Sequence, residues 1–234
     1  MKTHNEPKNY LLKALPESER ATLLPLLEAV DLPRAAVLHE PGGPVTSLLF
    51  PESCVISVVQ PFSNGEDIEC ATVGCEGVLC LATALAGQDH ASTRHSVQIA
   101  GQAHRMARET FADSFDSLPE FRRLVLAYAG GLISTLMLSV ACNRVHDVER
   151  RLARWLLMTH DRSQVEEMPL TQDVMAEMLG VHRPTVSVAI RALEGAGLIE
   201  TRRGIVRIRD RTALEAAACE CYHIGARRLP ARCG

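Results

Sequence analysis

The sequence predicts an α+β chain in three parts: an N-terminal antiparallel β jelly roll, one long helix, and a C-terminal pair of short helices closed by a β-hairpin. Three observations carry that reading. Six short apolar runs separated by turn residues crowd into roughly 75 residues of the N-terminal half, the pattern of a sandwich, jelly roll or barrel. Nineteen residues, from Leu124 to Cys142, then pass without a charge. Finally, residues 170–208 alternate helical and two-residue periodicity around a proline and four glycines. With 47% hydrophobic and 23% charged residues in 234, the chain is a globular protein rather than a disordered one, a fibre or a disulfide-dense miniature. Aromatics are 4%, so the core falls to Leu, Val, Ile and Ala.

The elements follow in order. Pro16 opens a short helix expected to run to about Val30, with Glu17 and Glu19 in its first turn and Leu23, Leu26, Leu27 and Val30 on one face. Strands are expected at 35–39, 48–50 and 54–60. Asn64-Gly65, a strong hairpin signal, then turns the chain back into 68–73, and 97–99 and 103–106 complete the set. Pro119 to Asn143 predicts a helix of about 25 residues, ~37 Å long. Asp147 is placed to cap a further helix through about His160, with Leu152, Trp155 and Leu156 on its buried face. Arg144-Val145-His146 is the expected hinge. The units are therefore residues 1–117, 118–146 and 147–234.

The uncharged stretch is long enough to span a membrane. Gly130-Gly131, its three hydroxyl residues and its direct run into the amphipathic segment VERRLARWLL oppose that reading. A helix packed between its own domain and a partner helix must also be apolar on nearly all sides. The expectation is a homodimer with a seam at Leu124, Tyr128, Gly131, Thr135, Leu138 and Cys142. The charged N-terminal segment has no apolar signal-peptide core, which points to the cytoplasm and to reduced cysteines.

Charge is unevenly spread. The net value of −3 conceals 11 Lys+Arg against 16 Asp+Glu in residues 1–146 and 14 against 12 in 147–234. Within 181–211 there are seven Arg and three acids, and every basic residue after 146 is Arg, the side chain that grips phosphate bidentately. In the same region Thr171 caps a helix over Gln172–Leu179, and Gly180 supplies the turn. Pro184 sits in the first turn of a second helix that buries Val186, Ile190 and Leu193. Small Ala176, Gly180 four positions on and Val186 six beyond that have the spacing of a helix-turn-helix. The hairpin around Arg202-Arg203-Gly204 makes a wing. DNA is the expected partner. The outward set is His182, Arg183, Pro184, Thr185, Ser187, Val188 and Arg191, with Thr171 and Gln172 on the first helix. Arg202, Arg203 and Arg207 belong to the wing.

These residues, the run DVERRLARWLL and the block FPESCVISVV…VGCEGVLCL together resemble the Crp/Fnr superfamily of cAMP receptor protein and the fumarate-nitrate reductase regulator. The resemblance implies a cyclic-nucleotide-binding-like β-roll and a homodimer reading a two-fold operator. It also implies contact with RNA polymerase in those members that activate transcription. In members that bind cyclic nucleotide, Gly-Glu holds the ribose and a downstream Arg-Ser/Thr the phosphate. Here the matching segment reads Gly74-Cys75-Glu76-Gly77, and the candidate Arg94 is followed by His95. Cyclic nucleotide is therefore not the expected effector, and the cofactor stays unassigned. The effector-pocket candidates are Glu76, Gly77, Cys80 and Arg94.

A metal or redox role is the alternative. Cys75, Cys80, Cys219 and Cys221 are its candidates, with Cys233 beyond them, but no CxxC occurs in this part of the chain. Residues 1–53 lack the cysteines of the iron–sulfur branch. Cys80 falls near the thiolate position of the haem-based carbon monoxide sensor, without a His two residues on. A cupin-like enzyme would need clustered histidines with a carboxylate, whereas His39, His90, His95 and His104 are scattered with no His-x-His pair. No catalytic residues are assigned.

Overall fold

The computed structural model describes residues 6–163 and 165–228. Helices α1 (Tyr10–Lys13) and α2 (Glu17–Leu23) lead in. Helix α2 ends sooner than its apolar face suggests. Pro25 has no N–H to give an α-helix, and the chain tightens into a 3₁₀ turn over Leu24–Leu26. Val30 then falls in a strand, β1 (Glu28–Leu32), instead of the helix.

Six more strands follow: β2 (Val37–His39), β3 (Ser47–Pro51), β4 (Val55–Pro61), β5 (Asp67–Val73), β6 (Arg94–Ile99) and β7 (Gly101–Ala107). They form two antiparallel sheets, ordered β1-β7-β3 and β2-β6-β4-β5. Helix α3 (Leu81–Leu85) interrupts them. Leu48, Phe50, Ile56, Val73 and Met106 fill the core, and each such side chain contributes about 1.5–3 kcal/mol of burial.

Helix α4 (Arg108–Ser117) leads into α5 (Pro119–Val145), 27 residues long. Phe121, Leu124, Val125 and Tyr128 complete the β-roll core. Among the described residues α5 is the helix long and apolar enough to cross a membrane by length and composition. The expected seam needs correction. Leu124, Tyr128, Thr135 and Cys142 are buried inside their own chain, and Gly131 and Leu138 are half-buried. The exposed apolar row is Leu126, Gly130, Ile133, Met137 and Val140, running on to Arg144. It has the same alternating four- and three-residue spacing, displaced by two positions. A helix that is apolar all round carries two such stripes, and only packing shows which one the protomer keeps.

Extended His146 ends α5, and the Asp147 carboxylate accepts from the Arg150 N–H at 2.9 Å to open α6 (Val148–Ser163). The remaining elements are β8 (Glu167–Met168), α7 (Gln172–Leu179), α8 (Arg183–Gly195), β9 (Ile199–Arg202), β10 (Ile205–Ile208), α9 (Arg211–Ala217) and α10 (Cys221–Ala226). The sheet order is β8-β10-β9. Leu152, Leu156, Met175, Ile190, Leu193 and Val206 make a second core, which Val55 and Ile99 of the β-roll enter from the other side. The second core therefore reaches into the β-roll.

Candidate nucleic-acid interface and signal-input residues

Thr171 Oγ1 accepts from the Val174 N–H at 3.3 Å, starting α7. Gly180, at φ +60°, ends it in the left-handed conformation that a side chain would oppose. Met175, Ala176 and Leu179 of α7 pack on Val186, Ile190 and Leu193 of α8, which locks the two helices as a unit. Opposite that buried face, α8 exposes His182, Arg183, Pro184, Thr185, Val188 and Arg191. Ser187 is half-buried, because its hydroxyl donates to Gln172 Oε1 at 2.7 Å and ties α8 to the start of α7. Arg183 sits 3.4 Å from Asp173 in an exposed pair, an attachment that costs little to release.

The wing is fixed from inside. Glu194 Oε1 accepts from both the Thr201 N–H, at 2.8 Å, and the Thr201 hydroxyl, at 2.6 Å. At its tip Gly204 lies so close to Thr171 that a Cβ there would come within 3.3 Å of the threonine methyl. The turn thus carries exposed Arg202 and Arg203 beside the N-terminus of α7. Arg207 is partly buried and pairs with Glu166 at 3.1 Å. Anions are favoured at such a helix end, and the neighbouring guanidiniums add to that.

The four effector-pocket candidates are engaged separately. Glu76 is buried and accepts from Arg162 Nε of α6 at 2.7 Å and from the Gly74 N–H at 3.1 Å. Gly77 is pressed against α5, where a Cβ would come within 2.1 Å of the Tyr128 ring. Arg94 turns to the surface and pairs with Glu40 and Asp67. Cys80 joins His39 and His95. Strand pairing and the docking of α6 draw these residues to different partners.

The same contacts link the β-roll to the C-terminal unit. Trp155 Nε1 of α6 donates to Glu69 of β5 at 3.1 Å. Burial pushes the Glu69 carboxyl up to about 8, against the opposing pull of hydrogen bonds from Ser57 and Trp155 and the charge of Arg162. Glu69 and Trp155 line a cleft between β5, α5, α6 and α7, together with Thr72, Thr135 and Arg154.

Two constellations lay beyond reach of the sequence. Antiparallel pairing sets His39 of β2 opposite His95 of β6, so histidines 56 positions apart become neighbours. Their Nδ1 atoms are 3.2 Å apart, with Cys80 Sγ 3.8 and 3.7 Å away. Burial, then the neighbouring His39, lowers His95 to about 4, and burial pushes the Cys80 thiol up to about 12. The trio is therefore neutral near pH 7. Cys142, Cys219 and Cys221 converge with His146 just past the end of α5. Cys75 is disulfide-bonded, a correction to the expectation that the cysteines are reduced, and its Sγ lies 3.1 Å from the Arg162 carbonyl oxygen, away from both clusters. Cys233 lies outside the described residues.

Residues 150–217 match the family model of the Crp-like helix-turn-helix domain. No curated protein matches the sequence. Among solved structures, the chain is similar to FixK2 from Bradyrhizobium japonicum, at 15% identity over 82% of this chain and 98% of that one, with a TM-score of 0.69. It is similar to CLP of Xanthomonas campestris, described as a c-di-GMP responsive global regulator, at 13% identity over 83% and 100%, with a TM-score of 0.68. A CooA variant from Carboxydothermus hydrogenoformans matches at 15% identity over 91% and 96%, with a TM-score of 0.62.

Proposed function

From a Crp-like helix-turn-helix domain set in a Crp/Fnr-like fold, we propose that the chain is a homodimeric transcription regulator. It reads an inverted-repeat DNA operator through α8 under the control of a signal received at the β-roll, and it acts in the cytoplasm. The observation that carries the reading is the continuous exposed face formed by the start of α8 and the arginine wing tip, which meets the first turn of α7 at Thr171. The exposed row Leu126, Ile133, Met137 and Val140 supports the two-fold partner.

Arg183 reaches guanine O6 and N7, a bidentate contact suited to a guanidinium. Pro184 has no side-chain donor or acceptor, so the neighbouring base pair is read through apolar contact, as is the one facing Val188. Arg202, Arg203 and Arg207 hold phosphates, which position the duplex without reading it. The test is selection of bound sites from a random library with the native chain and with Arg183→Ala. The expected product is an inverted repeat with half-sites about one helical turn apart, and relaxed preference at one guanine per half-site in the variant, costing ~1–3 kcal/mol. Uniform weakening with an unchanged consensus would move Arg183 to the phosphate-binding group.

A second reading, metal- or thiol-based input at the β-roll, is favoured by the convergence of His39, Cys80 and His95. Absorption and metal analysis of anaerobically handled protein, compared with Cys80→Ser, distinguish it from a small-ligand input.

A further inference from the structure

Four side chains gather where the long helix meets the C-terminal unit. Cys142 lies in the last turn of α5, His146 is the extended residue that follows it, Cys219 lies between α9 and α10, and Cys221 opens α10. The three thiols are buried, His146 is half-buried, and all four ligand atoms lie within 4.8 Å of one another. We propose that Cys142, His146, Cys219 and Cys221 form a tetrahedral site for Zn²⁺ that fastens α10 to the end of α5.

The spacings fit the ion. Zinc holds thiolate sulfur at about 2.3 Å and imidazole nitrogen at about 2.0–2.1 Å, which places the ligand atoms of a tetrahedron roughly 3.5–3.8 Å apart. Cys142 Sγ is 3.5 Å from Cys219 Sγ, and Cys221 Sγ is 3.7 Å from His146 Nδ1. The sulfur pair is far from the ~2.05 Å of a disulfide. His146 is oriented as a ligand would be. Its Nδ1 faces the thiols while its Nε2 lies 3.1 Å from the Glu220 carboxylate, the second partner that fixes the tautomer of metal-bound histidines.

Charge also fits. Three thiolates and one Zn²⁺ leave a net −1. Arg154 of α6 is buried nearby, with its Nε lacking a hydrogen-bond partner among the described residues, and supplies the compensating positive charge. The His39–Cys80–His95 trio offers three ligands rather than four. Binding at the four-ligand site replaces thiol S–H bonds with S–Zn bonds and releases the protons to solvent. No electron is transferred.

The experiment uses the full chain, reduced and stripped by a chelator, titrated with Zn²⁺ and separately with Co²⁺ as a spectroscopic stand-in. Native protein and Cys80→Ser are expected to take up one equivalent per chain. The Co²⁺ form should show the intense sulfur charge-transfer and visible bands of a tetrahedral thiolate site. Calorimetry in buffers of different ionisation heat should detect the released protons. Cys221→Ser and His146→Ala should lose that equivalent, with circular dichroism confirming that they remain folded. Glu220→Gln should keep the stoichiometry and bind 10–100-fold more weakly. Three results would overturn the site: no uptake by the native chain, uptake that survives in Cys221→Ser and disappears in Cys80→Ser, or a pale octahedral Co²⁺ spectrum. A merely structural cysteine cluster would leave Zn²⁺ uptake unmoved by any of these changes.

Discussion

Replacing Arg162 by Met breaks the only charge-to-charge bond of the buried Glu76 carboxylate among the described residues, and the cost is large enough to read directly. Glu76 is 2% exposed and the Arg162 side chain 10%, with 2.7 Å between Nε and Oε1. Removing one member of such a pair typically costs 3–5 kcal/mol, because the remaining charge stays desolvated. Among the described residues the Gly74 N–H alone is then left to bond Glu76. At ~2–4 °C per kcal/mol for a chain of this size, Arg162→Met should unfold ~6–20 °C below the native protein. The double variant Glu76→Gln/Arg162→Met should recover much of that loss, since the neutral amide leaves no unpaired charge buried and its oxygen can still accept from the Gly74 N–H. Trp155, the single tryptophan, bonds Glu69 across the same junction, so its fluorescence follows the separation of α6 from β5. A loss below ~1 kcal/mol in the single variant, or a double variant no better than the single, would refute the claim that this pair joins the β-roll to the C-terminal unit.

Met137→Glu, at a 69%-exposed position, should yield a folded monomer in sedimentation, whereas Leu124→Glu should fail to fold; a dimer surviving Met137→Glu would reject the outward row as the seam. Gly77→Ala should cost ~1–3 kcal/mol by driving a methyl into the Tyr128 ring, and pairing it with Tyr128→Leu should recover part of the loss in urea unfolding. Glu69 carries a raised carboxyl, so the folded chain holds its proton more tightly than the unfolded one. Its contribution to stability therefore falls from about pH 4.5 to about pH 8, and Glu69→Gln should be the more stable protein above pH 8, with the advantage fading toward pH 4.5. Arg202→Ala should weaken cognate and random DNA alike and reduce the salt slope by ~0.9; an altered base preference would place this arginine in a groove.

What could be read in advance was what neighbours in sequence decide. The cap at Thr171, the turn at Gly180, the buried faces of α7 and α8 and the wing around Arg203 all follow from spacings of a few residues, and each lies where those spacings put it. The β1 strand was hidden because Leu26, Leu27 and Val30 continue the apolar face of α2, and only the chain stiffness imposed by Pro25 decides between helix and strand. Four of the six seam candidates on α5 are buried within the chain instead, because hydrophobicity alone cannot tell one stripe from its neighbour on a helix apolar all round. His39 with His95, Glu76 with Arg162, and Cys142 with Cys219 depend on pairing across 56, 86 and 77 positions. No local pattern announces such contacts.

The two-faced character of α5 also constrains how this sequence can vary over evolutionary time. An ordinary surface helix gives about half of its circumference to solvent, where substitutions drift almost freely. From Leu124 to Cys142 one stripe is claimed first by the β-roll and then by Cys219 and Cys221, and its neighbour is a row of bare Ile, Met and Val. Little of the helix is left for drift beyond small residues such as Ala127, Ser134 and Ala141. Variation in this segment should therefore consist of exchanges among apolar side chains of similar volume, while the charge repertoire of the protein changes in its turns and at the wing.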